Sequence, residues 1–288
     1  MKVSVTACAK INLWLEVLRK RPDGYHDLST LMLPVGIQDR LDIETCSEGL
    51  ELRCDHPEVP TDARNLLYRA AEAFFERSGW RIGLRLYLVK GIAVGAGLGG
   101  GSADAAALLR FLNTVAPEPL PSSTLHELAR GLGGDVPFFL LGRPALATGI
   151  GDQLQPIVGL PQYPLLLMKP PYAVSTAWAY GSLKLTRGGS RIKIQTLLAC
   201  PLNPASCLEN DLEDVVAKAY SDVVAIKEWL LHNGAVGALM TGSGPTVFGI
   251  FETVDQARAV ATRIPAAWSR YWWAVTTTLN GPQSCRAR

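Results

Sequence analysis

A glycine-dense stretch carries the strongest chemical signal in this 288-residue sequence. Five of the seven residues from Gly95 to Gly101 are glycine, and an alanine-rich segment starts directly afterwards at Ser102. Without side chains, successive backbone N–H groups can close around an anion, and the positive end of a helix dipole adds to the attraction. Glycine clusters also form flexible linkers, but a linker rarely leads straight into so strong a helix former. The pattern predicts a phosphate-binding loop.

Two well-known nucleotide-binding motifs do not account for this loop. Gly95, Gly97 and Gly100 match the dinucleotide-binding pattern, which also requires a second strand that ends in an acidic residue about 20 residues later. Near that position the chain has Glu118 between two prolines. The lysine of a Walker A loop is missing as well, because no Gly-Lys-Ser/Thr sequence follows the glycines.

Two further segments place polar residues among apolar ones. Lys10 lies in the run Ala9-Lys10-Ile11-Asn12-Leu13, and burying its ammonium group is costly unless a carboxylate pairs with it. We therefore expect an acidic partner for Lys10. Near the other end, Thr241-Gly242-Ser243-Gly244-Pro245 is a second glycine-containing loop, which fits a functional loop or an ordinary hairpin turn equally well.

Short strands and helices alternate in the predicted first half of the chain. Periodicity predicts strands at 3–7, 11–17, 41–44, 50–54 and 82–88, and helices at 65–78, 102–113 and 123–131. In the first helix Leu66, Ala70, Ala73 and Phe74 share a face, and Gly79 is expected to end it. Residues 149–164 contain three prolines and form the predicted domain boundary.

The second half is predicted to be an open antiparallel α+β domain. The predicted strands are 165–169, 237–240, 246–251 and 272–278, and the predicted helices are 211–220, 221–233 and 254–264.

Composition excludes several functional classes. The net charge is +2 and charged residues make up only 19%, so a nucleic-acid coat or a polybasic membrane binder is not expected. No apolar stretch reaches the roughly 18 residues that a membrane-spanning helix needs. The six cysteines form no C-x-x-C pair, and we interpret them as reduced thiols in a cytoplasm.

The glycine stretch, the Lys10 segment and the Thr241–Pro245 loop together resemble the superfamily of galactokinase, homoserine kinase, mevalonate kinase and phosphomevalonate kinase (GHMP kinases). The resemblance spans nearly the whole chain. The segments at 23–26 and 134–139 narrow it to the branch that phosphorylates a diphosphocytidyl sugar alcohol, which five motifs match. They are Ala-Lys-Ile-Asn-Leu at 9–13, Asp-Gly-Tyr-His at 23–26, the glycine loop at 97–102, Gly-Asp-Val-Pro-Phe-Phe at 134–139 and Asn-Asp-Leu-Glu at 210–213. The chain departs from the family where Ala93-Val94 replaces a preferred proline before the loop.

The resemblance implies an α+β, two-domain GHMP kinase fold. A ribosomal-protein-S5-like nucleotide-binding domain would span 1–158, and a ferredoxin-like open α+β domain would span 159–288. The implied reaction transfers a phosphoryl group from ATP, with Mg²⁺, to the 2-hydroxyl of 4-diphosphocytidyl-2-C-methyl-D-erythritol in the non-mevalonate isoprenoid precursor pathway. The enzyme would be a monomer or weak homodimer in a bacterial cytoplasm, without nucleic-acid or membrane partners.

Residue roles follow from the same resemblance. Asp135 matches the catalytic carboxylate that accepts the hydroxyl proton, and Lys10 would lie beside it and hold it ionised. The ATP phosphates would contact Val94, Gly95, Ala96, Gly97, Leu98, Gly99, Gly100, Gly101, Ser102, Ala103 and Asp104. Ser102 is a possible Mg²⁺ ligand, and no second ligand is identified. The substrate would contact Asn12, Tyr25, His26, Tyr180, Gly242 and Ser243, with Tyr25 and His26 on the cytosine ring and Trp178 as the alternative to Tyr180.

Several alternatives stay open at this point. Asp135 fits a turn or a helix cap, Asp104 fits a residue that stabilises the first helical turn, and Tyr25 and His26 fit a core-packed ring and a turn cap. Homoserine or mevalonate kinase would share the glycine loop, but neither has a reason to carry Asp-Gly-Tyr-His for a cytosine ring. A non-catalytic nucleotide-binding module would not need both Lys10 and Asp135, and the charge balance disfavours an RNA-binding protein.

Overall fold

Two β-sheets form the framework of the computed structural model, which describes residues 1–184 and 204–281. The first sheet has the order β3-β4-β2-β1-β8, and a hairpin of β5 and β6 joins it at β2. Its strands are β1 (Lys2–Lys20), β2 (His26–Cys46), β3 (Leu50–Cys54), β4 (Gly83–Val89), β5 (Ala145–Thr148), β6 (Gln153–Pro156) and β8 (Glu209–Asn210).

The second sheet is antiparallel throughout and has the order β11-β7-β10-β9. Its strands are β7 (Pro164–Lys169), β9 (Gly237–Met240), β10 (Val247–Ile250) and β11 (Trp272–Thr277). These strands confirm the antiparallel α+β arrangement predicted for the second half.

Eight α-helices are present in the described ranges. They are α1 (Leu66–Ser78), α2 (Gly100–Val115), α3 (Ser122–Leu132), α4 (Val136–Leu141), α5 (Thr176–Ser182), α6 (Glu213–Ala219), α7 (Ser221–His232) and α8 (Val254–Ala261). None of these helices combines the length and the apolar character needed to cross a membrane.

The N-terminal strands are longer than predicted. Residues 3–7 and 11–17 belong to one 19-residue strand, β1, and 41–44 lies within the 21-residue β2. The prediction of separate strands was wrong because Ala7, Cys8 and Ala9 are all buried, which removes the apolar–polar alternation expected of a half-exposed strand. The register between β1 and β2 also shifts at Cys8 and Lys10.

Helix α1 confirms its predicted ends but not its predicted face. Asn65 caps the first turn by accepting the N–H of Leu67, and Gly79 ends the helix with φ of 69°. The buried residues are Leu67, Ala70, Ala71, Phe74 and Phe75, so the core face is rotated away from Leu66 and Ala73.

Two elements were missed, and the start of one helix was misplaced. The six-residue α4 is too short to show a helical period, and the β5–β6 hairpin reaches into 149–164, where a domain boundary was predicted. Helix α2 begins at Gly100, inside the glycine stretch, rather than at Ser102.

A shared apolar core joins the two sheets. Ile11 and Leu33 of the first sheet belong to the same buried cluster as Leu165 and Phe248 of the second. Strand β8 follows the second half's first strand in sequence, yet it pairs with β1 in parallel through Trp14 and Leu15. The predicted C-terminal domain, 159–288, therefore contributes strand β8 to the first sheet.

Candidate active site

A cavity of about 1060 Å³ opens between the two halves of the molecule. One wall is formed by β1, the 23–26 turn, the glycine stretch and the segment around Asp135. Residues Thr176, Tyr180, Gly242 and Ser243 of the second half complete it. The cavity brings the three polar segments singled out in the sequence to one place.

Strand β1 presents Lys10 and Asn12 to this cavity. Residues two apart in a strand share a face, so Ile11 and Leu13 point the other way, into the core between the sheets. Lys10 Nζ donates to Asn12 Oδ1 at 2.7 Å and to the carbonyl oxygen of Gly97 at 2.8 Å. The ammonium group is therefore fixed between strand β1 and the glycine stretch at 95–101, the predicted phosphate loop.

Asp135 supplies the acidic partner expected for Lys10. Its Oδ2 lies 3.9 Å from Lys10 Nζ, and the two side chains are 34% and 4% exposed, respectively. Burial lowers the pKa of Lys10 below its usual value, and the Asp135 carboxylate opposes that shift. The lysine is thus the buried member of the pair, and the carboxylate is the one that a ligand can reach.

The Asp135 side chain is not a helix cap. It immediately precedes α4, but it makes no capping hydrogen bond to the first turn. Its backbone carbonyl accepts the N–H of Phe139, which anchors the residue while its side chain faces the cleft. The capping alternative therefore fails on geometry.

Asn12 lies behind Lys10 in a buried polar network. It is 1% exposed. Its Nδ2 donates to Thr30 Oγ1 at 2.8 Å, and its backbone N–H donates to Thr241 Oγ1 at 2.9 Å. Asn12 borders the cavity, and its contacts orient Lys10 and tie β1 to the second half.

The phosphate loop has the backbone that the glycines predict. Gly95, Gly97 and Gly99 have φ of 62°, 73° and 74°, which side-chain-bearing residues rarely adopt. Gly99 is the N-cap residue of α2 and forms no side-chain capping bond, and Gly100, Gly101 and Ser102 at the start of the helix line the cavity. Such an arrangement fits the phosphates of a nucleotide.

Ser102 and Asp104 differ in their surroundings. Ser102 is half-buried in the first turn of α2 and lines the cavity, where a hydroxyl fits a phosphate-bound Mg²⁺. Asp104 borders the cavity, but it is only 2% exposed and its Oδ2 accepts from Lys90 Nζ at 3.0 Å. Burial raises the pKa of the Asp104 carboxyl, while Lys90 opposes the rise.

The backbones of the phosphate loop and the Thr241–Pro245 loop lie close together. A Cβ atom at Gly97 would lie 2.6 Å from the Thr241 carbonyl oxygen and 3.0 Å from that of Gly244. A Cβ at Gly242 would lie 3.1 Å from Lys10 Nζ. Only glycine fits where the two loops cross.

We expect Gly97→Ala to damage nucleotide binding severely. The new methyl group meets backbone atoms that cannot rotate away, and the φ of 73° adds strain of about 1–3 kcal/mol. The KM for ATP should rise, and the melting temperature should fall. Gly131→Ala is the matched control, because it lies within α3 with nothing inside 4 Å of its Cβ position. Equal behaviour of the two variants would contradict the proposed crossing of the loops.

An aromatic group forms the far wall of the cavity. Tyr25 is 61% exposed at its turn, so it does not pack into the core. His26 stacks on Tyr180 with ring centroids 5.3 Å apart. Burial, together with the charge of Lys20, lowers the pKa of His26, which favours the neutral ring. Trp178 instead packs edge-to-face on Tyr220, so the structure brings Tyr180 and not Trp178 to His26.

The Ser243 loop is held by the 210–213 motif. Asn210 Nδ2 donates to the carbonyl oxygens of Met240 and Gly242 at 2.7 and 2.9 Å, and Glu213 Oε2 accepts the N–H of Met240. Ser243 in turn shares a 2.9 Å hydrogen bond with Thr176. The motif is therefore a support for the loop.

Several cavity residues were not foreseen from the sequence. They include Thr30, Val59, Pro60, Asn65, Leu66, Lys90 and Thr176. The helix-capping pattern at Asn65 was a usable signal, because helix N-termini often border ligand sites. Thr30 and Thr176 have no local signature, since their roles depend on partners far away in the chain.

Comparisons with known proteins identify the family of the chain. The family model of the GHMP kinases N terminal domain matches residues 65–143, and that of the GHMP kinases C terminal matches residues 199–270. A homoserine kinase structure from Cytophaga hutchinsonii superimposes with a TM-score of 0.72 at 18% identity, covering 100% of this chain and 97% of that one. At that identity the likeness concerns the fold alone.

More similar relatives carry a narrower name. The 4-diphosphocytidyl-2-C-methyl-D-erythritol kinases of Pelotomaculum thermopropionicum and Syntrophotalea carbinolica are each 44% identical, covering 91% and 94% of this chain and 94% and 96% of their own. A crystal structure of 4-(cytidine 5'-diphospho)-2C-methyl-D-erythritol kinase is 38% identical with a TM-score of 0.82, covering 96% of this chain and 100% of that one. The chain belongs to the GHMP kinases and, among them, to the 4-diphosphocytidyl-2-C-methyl-D-erythritol kinase family.

Proposed function

We propose that this protein transfers the γ-phosphoryl group of ATP to the 2-hydroxyl of 4-diphosphocytidyl-2-C-methyl-D-erythritol. The observation that carries the proposal is the placement of Asp135. Its carboxylate makes no helix-capping bond and lies 3.9 Å from Lys10 Nζ. The phosphate loop and the aromatic pair of His26 and Tyr180 line the same cavity. A phosphate donor and a cytosine-bearing acceptor would meet at that point.

The donor would lie along the phosphate loop. The N–H groups around Gly99 and at the start of α2 would bind the phosphates, with Ser102 as a ligand of Mg²⁺. When bound, Mg²⁺ would neutralise charge on the transferred phosphoryl group. Beyond Gly101, Leu66 and the neighbouring Val59 and Pro60 offer an apolar wall for the adenine ring.

The acceptor would be positioned for in-line attack. Asp135 would orient the substrate hydroxyl and accept its proton, while Lys10 keeps the carboxylate ionised and lies near the charge that develops in transfer. Because the transition state of phosphoryl transfer is loose, positioning of the two reactants supplies most of the catalysis. The Ser243 loop would face the diphosphate of the acceptor.

An ATP-consumption assay with three acceptors tests the proposal. We expect turnover with 4-diphosphocytidyl-2-C-methyl-D-erythritol and none with homoserine or mevalonate, because only the first has a ring for the aromatic wall. Turnover of homoserine or mevalonate instead would assign the same fold to another acceptor. ATP binding without turnover of any of the three would favour a non-catalytic nucleotide binder.

Tyr25→Ala should weaken the acceptor selectively. Stacking on an aromatic ring is worth about 1–3 kcal/mol per base, so the KM for the diphosphocytidyl substrate should rise about 5- to 100-fold. The KM for ATP should change little, since Tyr25 belongs neither to the phosphate loop nor to the apolar wall proposed for the adenine ring. Tyr87→Ala provides a matched control, because Tyr87 is also exposed but lies outside the cavity. Equal losses for both substrates would refute the stacking role.

The setting of the enzyme is also part of the proposal. We propose a cytoplasmic enzyme that works as a monomer or weak homodimer. Sedimentation at catalytic concentrations tests the assembly, and an obligate higher oligomer would contradict it.

A further inference from the structure

A buried cluster of three charged side chains lies beneath the phosphate loop. Lys90 Nζ hydrogen-bonds to Asp39 Oδ2 and lies 3.0 Å from Asp104 Oδ2. The side chains of Lys90, Asp39 and Asp104 are 6%, 0% and 2% exposed. None of them has a step in the proposed phosphoryl transfer.

The cluster fixes the entry of the loop. The chain leaves β4 at Val89, and the next three backbone N–H groups all donate to carboxylates. Lys90 N–H donates to Asp55 Oδ1 at 3.0 Å, and the N–H groups of Gly91 and Ile92 both donate to Asp39 Oδ1 at 2.8 Å. The direction in which the chain approaches the glycines is thus set by one carboxylate of β2 and one that directly follows β3.

The same cluster reaches the exit of the loop. Asp104 lies in the first turns of α2, and its tie to Lys90 joins that helix to the residues just before the loop. A Cβ atom at Gly100 would lie 3.2 Å from Lys90 Nζ and 3.4 Å from Asp39 Oδ2. The ammonium group therefore sits directly under the start of α2, where the phosphate cradle lies.

Stability alone does not account for this arrangement. Three buried charged groups carry a desolvation cost, and apolar residues of similar volume generally serve a core equally well. Asp104 Oδ1 is buried and has no hydrogen-bond partner among the described residues, which a purely structural site would tend to avoid. Costly buried charge next to a binding loop points to a role in that loop.

We propose that Asp39, Lys90 and Asp104 are positioning residues that set the conformation of the phosphate loop from beneath, by tying residues 90–92 to the first turns of α2. They hold the backbone N–H groups in the shape that the phosphates need, and they make no contact with the nucleotide themselves. The expected effect on ATP binding rests on the proposed function. The contacts of Lys90 with Asp39 and Asp104 do not, because they form in the protein without ATP.

Two substitutions of Asp104 separate this role from general stability. Asp104→Leu removes the acceptor for Lys90, whereas Asp104→Asn keeps one. In the ATP-free protein, we expect the amides of residues 91–102 to exchange hydrogen faster in the leucine variant than in the asparagine variant. Amides of the second sheet should exchange equally in both variants. If the single leucine variant does not fold, the Lys90→Met/Asp104→Leu double variant also removes the tie. It removes one positive and one negative group, so the net charge of the cluster is unchanged. Asp39 keeps its two backbone N–H donors.

Kinetics provide the second readout. A misplaced loop should raise the KM for ATP about 10- to 100-fold in the leucine variant relative to the asparagine variant, with a much smaller change in the KM for the acceptor. Equal exchange of residues 91–102 in the two variants would overturn the proposal, as would a lowered melting temperature with equal KM values for ATP. A wild-type protein that fails to bind ATP would refute the proposed function, while the exchange experiment would still decide whether the cluster shapes the loop.

Discussion

Replacing Asp135 with asparagine should lower kcat by about 10²- to 10⁴-fold. The amide has the shape of the carboxylate but can neither accept the hydroxyl proton nor carry the negative charge beside Lys10. Because Asp135 makes no capping bond to α4, the fold should survive the change. The measurement is steady-state turnover together with ATP binding by calorimetry.

The binding measurement makes this result specific. The affinity for ATP should stay close to that of the wild type, since the phosphate loop does not depend on Asp135. Asp152→Asn is a useful comparison, because that buried carboxylate pairs with Arg130 at the edge of the cleft and outside the proposed chemistry. If Asp135→Asn retained wild-type kcat, the carboxylate would have no part in proton transfer.

Lys10→Met should have the second-largest effect, a fall in kcat of about 10²- to 10³-fold. The substitution leaves Asp135 without its neighbouring charge, and it removes the ammonium donor that Asn12 Oδ1 and the Gly97 carbonyl oxygen share. Both reactants lose part of their positioning, so the loss should fall on kcat more than on either KM. Turnover and melting temperature should be measured on the same preparation, and an unaltered kcat would remove Lys10 from the mechanism.

The pH profile gives an independent check on Lys10. Because its folded pKa is lowered from 10.5, the ammonium group is present below that lowered pKa and is lost as the pH rises through it. The wild type should therefore lose kcat on the alkaline side at a pH below 10.5. In Lys10→Arg the guanidinium stays charged to beyond about pH 12, so its remaining activity should lack this alkaline loss.

The sequence predicts the chemistry of the site more completely than its geometry. The glycine stretch required a loop with positive φ, and the apolar surroundings of Lys10 required an acidic partner, so both features followed from residue types. Asp104 shows where such reasoning ends. A carboxylate near the start of a helix fits a phosphate site or a helix-stabilising residue, and its buried tie to Lys90 depends on how two elements pack.

The same limit applies to the fold. Helix α1 was predictable because Asn65 and Gly79 mark its ends, whereas its exact core face depended on which neighbours it packs against. Strand β1 lost its alternation because both of its faces are covered. Asn12 bonds to Thr241 across 229 residues, and no local pattern contains that pairing.

The long reach of β1 has a consequence for biosynthesis. This strand is translated before its partners, because the N–H of Val17 donates to Asp211 and the N–H of Asn12 donates to Thr241, which follow 194 and 229 residues later. Domains usually fold in order as they emerge, yet here β1 cannot acquire both of these partners until residue 241 has been translated. A nascent chain that stalls before residue 241 would lack the hydrogen bond from Asn12 to Thr241, so the strand that carries Lys10 would not yet be tied to the Thr241–Pro245 loop.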